Sequence, residues 1–251
     1  MLKKTHFLWI NFLLLISMTS CQFSENIYID EAGTGKIEFD LDGSSIMELA
    51  GGQLGSEKDL KNMDSTFVFA DLLKNKKDSI SLLPPEKQAL IKSLEKLTMR
   101  MLMNVEKKQM QVTLTSKFDN VNEVHNMMAS MKNVSDLDKK SKDTKNPLAA
   151  LSEADNIDLS YSYNGKVFKR TGKIIDAAAQ KMIVDSLEKS KMFLETSMYT
   201  LNYHFPRKIK SVSNKKAEIS TDKKSLTLGV KYTEYIEKPE VLNLEVVLEK
   251  K

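Results

Sequence analysis

Cysteine is nearly missing from this 251-residue chain, which has one, Cys21. A lone thiol excludes an intrachain disulfide framework, and a cysteine near the N-terminus has no histidine fixed beside it to activate it as a nucleophile. Histidine is almost as scarce: of three, only His125 and His204 lie beyond residue 20. Neither has a second metal-type residue two or four positions further on, as a zinc site would want, so no metal or other cofactor is expected. Long apolar runs are missing as well. Beyond Ile16 none approaches the roughly 18–20 residues that cross a bilayer as a helix.

Charge of one sign is also lacking. The formal balance is +4, and the 38 basic residues less Lys3 and Lys4 leave 36 against 34 acidic ones. Lysine and glutamate interleave along most segments, so no basic stripe with aromatic residues offers itself to nucleic acid, and none is expected as a partner.

Catalytic motifs are absent in the same way. There is no Gly-x-Ser-x-Gly elbow and no His-Glu-x-x-His pair. Ser93 to Lys96 and Ser186 to Lys189 match the Ser-x-x-Lys spacing, but both fall on polar helix faces without the partner motifs. Asp30 and Glu31 are adjacent in a turn and point apart, a poor start for paired-carboxylate glycoside chemistry. Gly33-Thr34-Gly35-Lys36 is too short for a phosphate loop, and Asp40-Leu41-Asp42-Gly43 lacks the distal glutamate of a calcium loop. No catalytic residue is assigned, and an enzyme is not expected.

What is present begins with an export address. Lys3 and Lys4 precede an apolar stretch from Phe7 to Ile16, followed by Met18-Thr19-Ser20-Cys21. That is the layout of a signal peptide over residues 1–20, too short to remain as a membrane stem. Small residues before a cysteine resemble the bacterial lipobox, in which a diacylglyceryl group is placed on the cysteine sulfur and the chain is cut just before it. Further acylation, such as palmitate, would add chains, and two or more hold a protein stably at a membrane. Gln22 after the box lacks the acidic residue of inner-membrane retention, which points to the outer membrane.

Residues 21–26 read as a lipidated spacer. Ile27 and Ile29, then Ile37, Phe39 and Leu41, alternate with polar residues around a turn at 31–35, a hairpin in which Gly33 and Gly35 would supply positive φ. Pro84 and Pro85 open a helix whose stripe is Leu90, Leu94, Leu97 and Met101. Met110, Val112, Leu114 and Phe118 share a strand parity. Asn120 and Glu123 cap a helix carrying Val121, Val124, Met128 and Met131. Residues 133–156 are polar and free of aromatics, a linker between an N-terminal lobe at 27–132 and a C-terminal lobe at 157–251. The second lobe opens on Ile157, Leu159, Tyr161 and Tyr163, turns at Asn164-Gly165, and continues through a helix at 176–194. Three strands follow, marked by Tyr199 to Phe205, Leu226 to Tyr232 and Leu242 to Leu248. The expected fold is α+β, mainly antiparallel sheet with three amphipathic helices in two closely packed lobes.

Cys21, the hairpin from Ile27 to Lys36 and the late Phe205-Pro206 resemble uncharacterised lipoproteins of the Bacteroidetes and, more loosely, the LppM-type lipoprotein domain. That resemblance implies a curved sheet with helices and a lipid-sized cavity, with no catalytic residue. The expected function is a non-catalytic, membrane-anchored envelope lipoprotein binding a partner protein or an envelope lipid. The alternative is an envelope-polymer hydrolase whose carboxylates only the fold brings together.

Overall fold

The computed structural model describes residues 22–45, 47, 61–74, 76–125, 157–187 and 194–250. Cys21, the 1–20 leader, the 133–156 linker, Met128, Met131 and Lys189 lie outside the described residues. The strands are β1 Gln22–Ile29, β2 Gly35–Asp42, β3 Met63–Val68, β4 Leu97–Asn104, β5 Gln109–Phe118, β6 Ile157–Tyr163, β7 Val167–Ile174, β8 Met198–His204, β9 Ile209–Val212, β10 Glu218–Ile219, β11 Ser225–Lys231 and β12 Leu244–Leu248. Helices α1 Phe69–Lys74, α2 Lys77–Ser81, α3 Pro85–Ser93, α4 Ala177–Leu187 and α5 Tyr232–Glu237 join them. The fold is α+β and mainly antiparallel, as the alternating patterns require.

Eight strands form one sheet in the order β10-β11-β8-β1-β2-β5-β4-β3, and four form a second in the order β6-β7-β12-β9. The strands do not divide at 133–156. β8, β10 and β11 complete the larger sheet, with β8 parallel to β1 from Gln22↔Met198 to Tyr28↔His204. The 22–26 stretch expected as a spacer is the first part of β1, paired on both sides. Its alternation was legible: Phe23, Glu25, Ile27 and Ile29 share one parity, and the last three are buried. The two sheets stack through those faces. Phe168 of β7 meets Tyr203 of β8 edge-on at 5.2 Å and Phe205 at 5.5 Å, and the buried residues of both sheets form one continuous core.

The helix expected to carry Leu90 to Met101 ends early. After α3 a 3-10 turn, Leu94–Lys96, leads into β4. Leu97 and Met101 are four apart, a spacing that fits one helix face and one strand face alike. Met99 and Met103 settle it, because the odd positions of 97–103 are all apolar while Thr98 and Arg100 are not, a period of two. The helix at 176–194 is seen as α4, with Asp176 Oδ1 accepting the N–H groups of Ala178 and Ala179 at 2.9 Å as its N-cap. Of the helix after Asn120 only its start is described, where Asn120 Oδ1 accepts the Asn122 N–H and Val121 and Val124 are buried.

The β1–β2 turn corrects one glycine assignment. Gly33 has φ +86°, a conformation that suits glycine. Gly35 has no positive φ and is required for a different reason. A Cβ there would lie 1.9 Å from the Tyr28 carbonyl oxygen and 2.8 Å from the Phe118 ring. Backbone cannot rotate away, so Gly35→Ala is expected to cost about 3 kcal/mol, the upper range for overpacking. Gly165→Ala, at φ +82° but in open space, is expected to cost only about 1 kcal/mol. Urea midpoints of the two variants check the ordering.

Candidate functional site

Where the two sheets face each other, the core holds a carboxylate and a guanidinium. Glu25 of β1 and Arg170 of β7 have fully buried side chains, with Arg170 Nη2 and Nε 3.2 and 3.3 Å from Glu25 Oε2. Tyr161 donates to Glu25 Oε1 at 2.8 Å, Tyr199 to Oε2 at 3.2 Å, and Tyr203 also donates to Oε1. Arg170 Nη1 donates to the Leu242 carbonyl at 3.3 Å. Burial, reinforced by the Glu25 charge, pushes the Tyr161, Tyr199 and Tyr203 hydroxyls well above the usual phenol range, and burial raises Tyr235 too. Burial alone would depress Arg170. The Glu25 charge and the surrounding Tyr203, Tyr161 and Tyr235 together outweigh that and hold the guanidinium firmly protonated.

This cluster has the composition of an active site but the enclosure of a core. Both carboxylate oxygens are occupied by donors and neither charge reaches solvent, so its chemistry is structural: it pins the two sheets in one relative position. Sequence reading passed over all of these side chains as site residues. The available signal was parity, since Glu25 and Arg170 each occupy an apolar-face position of their strand, flanked at two residues by Phe23 and Ile27 or by Phe168.

The expected chemical candidates are dispersed. Asp30 Oδ1 accepts the Ala32 and Thr34 N–H groups of its own turn, and the Thr34 hydroxyl bond together with them holds its carboxyl below the usual range. Glu31 faces Arg207 at 3.3 Å, so the pair does not converge. Asp40 accepts from Asn26 at 2.8 Å and Thr113 at 2.7 Å, and Asp42 from the Ser44 N–H. His125 donates through Nδ1 to the Leu159 carbonyl at 2.8 Å. His204 stacks on Tyr28 with centroids 4.5 Å apart, and partial burial lowers its pKa. Ser186 donates to the Ile183 carbonyl. Lys96, on the 3-10 turn rather than mid-helix, bridges Asp119 at 2.6 Å and Glu123 at 3.1 Å. Among the described residues no group of three His, Cys, Asp or Glu is placed to hold a metal ion.

Two concave features lie beside α3. A groove of about 320 Å³ has an apolar floor of Ile37, Phe118 and Val124 and is also lined by Lys92, Lys96 and Lys117 together with Glu95 and Glu123. A second, of about 490 Å³, opens on the other side of α3 against α1 and α2, and both share Ala89, Lys92 and Glu95. Volumes of this size accept a small amphiphile. Lys92 and Lys117 make no ion pair among the described residues, whereas Lys96 is committed to its two acids. A hydrocarbon segment on the floor and an acidic head at the rim would match this chemistry. The sequence had marked Phe118 and Val124 as core and none of the lysines as a site. Lys92 lies on α3 and Lys117 on β5, and only the packing of α3 on the sheet brings them to one rim.

No family model matches the chain, and no curated protein matches it. Among solved structures, the folded domain of the LppM protein of Mycobacterium tuberculosis, determined by NMR, aligns with a TM-score of 0.40 and 10% identity over 92% of this chain and 91% of that one. A likeness at that level gives no residue here a role. Among the described residues no helix is long and apolar enough to cross a membrane.

Proposed function

We propose that the chain is a non-catalytic lipoprotein of the cell envelope, acylated on Cys21 at the outer membrane, whose folded body binds an envelope lipid. The observation that carries the binding reading is the groove beside α3, where an apolar floor meets the ammonium groups of Lys92 and Lys117. The anchor reading rests on Met18-Thr19-Ser20-Cys21. A partner protein is the second reading, favoured by β3. That strand pairs only with β4 among the described residues and exposes Phe67 and Val68, an edge that could accept an added strand.

Two measurements test the proposal. Cys21→Ala is expected to shift the protein from the membrane to the soluble fraction with its thermal midpoint unchanged, since the change removes only the acylated sulfur. Continued firm membrane fractionation would overturn the anchor. Mass spectrometry of the detergent-extracted native protein is expected to find an acidic amphiphile in roughly stoichiometric amount, lost from Lys92→Glu/Lys117→Glu. Its equal recovery from that variant would remove the groove from the account.

A further inference from the structure

We infer that the Gln22 end of the sheets rests against the bilayer surface, placing Ile175 and Met182 in its interfacial layer and Lys107 and Lys108 beside anionic headgroups; this rests on acylation of Cys21. Gln22 is peptide-bonded to Cys21, so their Cα atoms are about 3.8 Å apart. Gln22 is also already paired on both sides, with Asp42 of β2 and Met198 of β8. A flexible spacer would let the body tumble above the membrane. Here the chain can gain slack only by unpairing β1 from both neighbours, so lipid on Cys21 holds this end of the sheets within a few ångströms of the headgroups.

Strand register identifies what shares that end. Asp42 pairs with Gln111, and Asn104 with Gln109, so the β4–β5 turn with exposed Lys107 and Lys108 projects there. Tyr232, the first residue of α5, donates its N–H to the Ser197 carbonyl at 2.8 Å and stacks on Phe23 at 4.0 Å. Gln180 of α4 donates to the Ile236 carbonyl of α5, which brings α4 to the same end. On α4 and just before it stand two of the large apolar side chains most open to solvent, Met182 at 73% exposed and Ile175 at 60%.

Lys173, 3.9 Å from Asp158, and Lys181, paired with Asp185, flank them. Of the acids described near this end, Asp185 pairs with Lys181 at 2.6 Å, Asp176 caps α4, Asp42 accepts the Ser44 N–H and Glu106 shares the lysine turn, while Glu195 and Glu237 are exposed. Exposed apolar side chains on the same end as an exposed lysine turn are the chemistry of a surface that dips into the headgroup layer, to a depth of about 5–10 Å. The opposite end, marked by the Asp30–Thr34 turn, lies about 25 Å away along eight residues of strand.

Acylation consumes the only cysteine, so single cysteines introduced elsewhere in the full chain can be labelled cleanly. Met182→Cys, Lys107→Cys and Ala32→Cys, each carrying a bimane, would be reconstituted in phosphatidylglycerol–phosphatidylethanolamine vesicles containing a nitroxide-labelled lipid. Quenching at positions 182 and 107 is expected to exceed that at position 32 by at least about threefold. Equal quenching at all three sites, in protein shown by intact mass to be acylated, overturns the orientation and leaves the anchor standing. A bare Cys21 sulfur in the same mass measurement overturns the anchor, and the orientation with it.

Discussion

Glu25→Gln is expected to destabilise the protein by about 3–5 kcal/mol, the penalty for leaving one member of a buried ion pair without its countercharge. Against a total stability of about 5–15 kcal/mol, that is a large fraction, equivalent to a fall in Tm on the order of 10 °C. The amide keeps the shape of the carboxylate but presents two N–H groups where Arg170 and three phenols already donate, so donors face donors. Tyr203→Phe removes one donor and leaves both charges paired. It is expected to cost only about 1–2 kcal/mol. The pairing Glu25→Leu/Arg170→Met separates charge from hydrogen bonding. Elsewhere a buried ion pair can be replaced by apolar residues at little cost, but here Tyr161, Tyr199 and Tyr203 would lose their shared acceptor. The double variant is therefore expected to stay well below wild type. Urea unfolding of the four proteins checks the order, and a Glu25→Gln midpoint within error of wild type would show that this pair does not hold the sheets together.

The parts of this core that were legible in sequence, and those that were not, separate along a physical line. Local periodicity placed β1–β2, β5, β6–β7, β8, β11 and β12, because alternation is written within a few consecutive residues. Parity also carried the information that Glu25 shares a face with Ile27 and Ile29. What it could not carry was a partner 145 positions away on another sheet, since pairing between layers depends on how strands from both halves interleave. The parallel β1–β8 pairing was hidden for the same reason. The 85–101 region was misread because Leu97 and Met101 satisfy both periods. The groove beside α3 was invisible, because its floor residues read as core and its lysines as ordinary solvated charge until packing brought them to one rim.

High pH should attack the same cluster. The phenols of Tyr161, Tyr199, Tyr203 and Tyr235 all have folded-state pKa values above the ordinary value near 10. Below about pH 10 both folded and unfolded chains keep these protons, and the four contribute no pH dependence. Above it the unfolded chain releases protons that the folded chain retains, so fewer protons are bound on unfolding and stability falls as pH rises. Each phenol contributes a slope of up to about 1.4 kcal/mol per pH unit, and the four together roughly 5 kcal/mol per unit until the folded state itself titrates or unfolds. The protein should therefore lose its fold in a steep step above pH 10, accompanied by the phenolate absorbance of all four side chains at once. Tyr203→Phe is expected to shallow that step by about a quarter despite starting from a less stable protein. Stability that stays level from pH 9 to 11.5 in stopped-flow unfolding would mean that solvent reaches these hydroxyls, and with it the carboxylate and guanidinium they enclose.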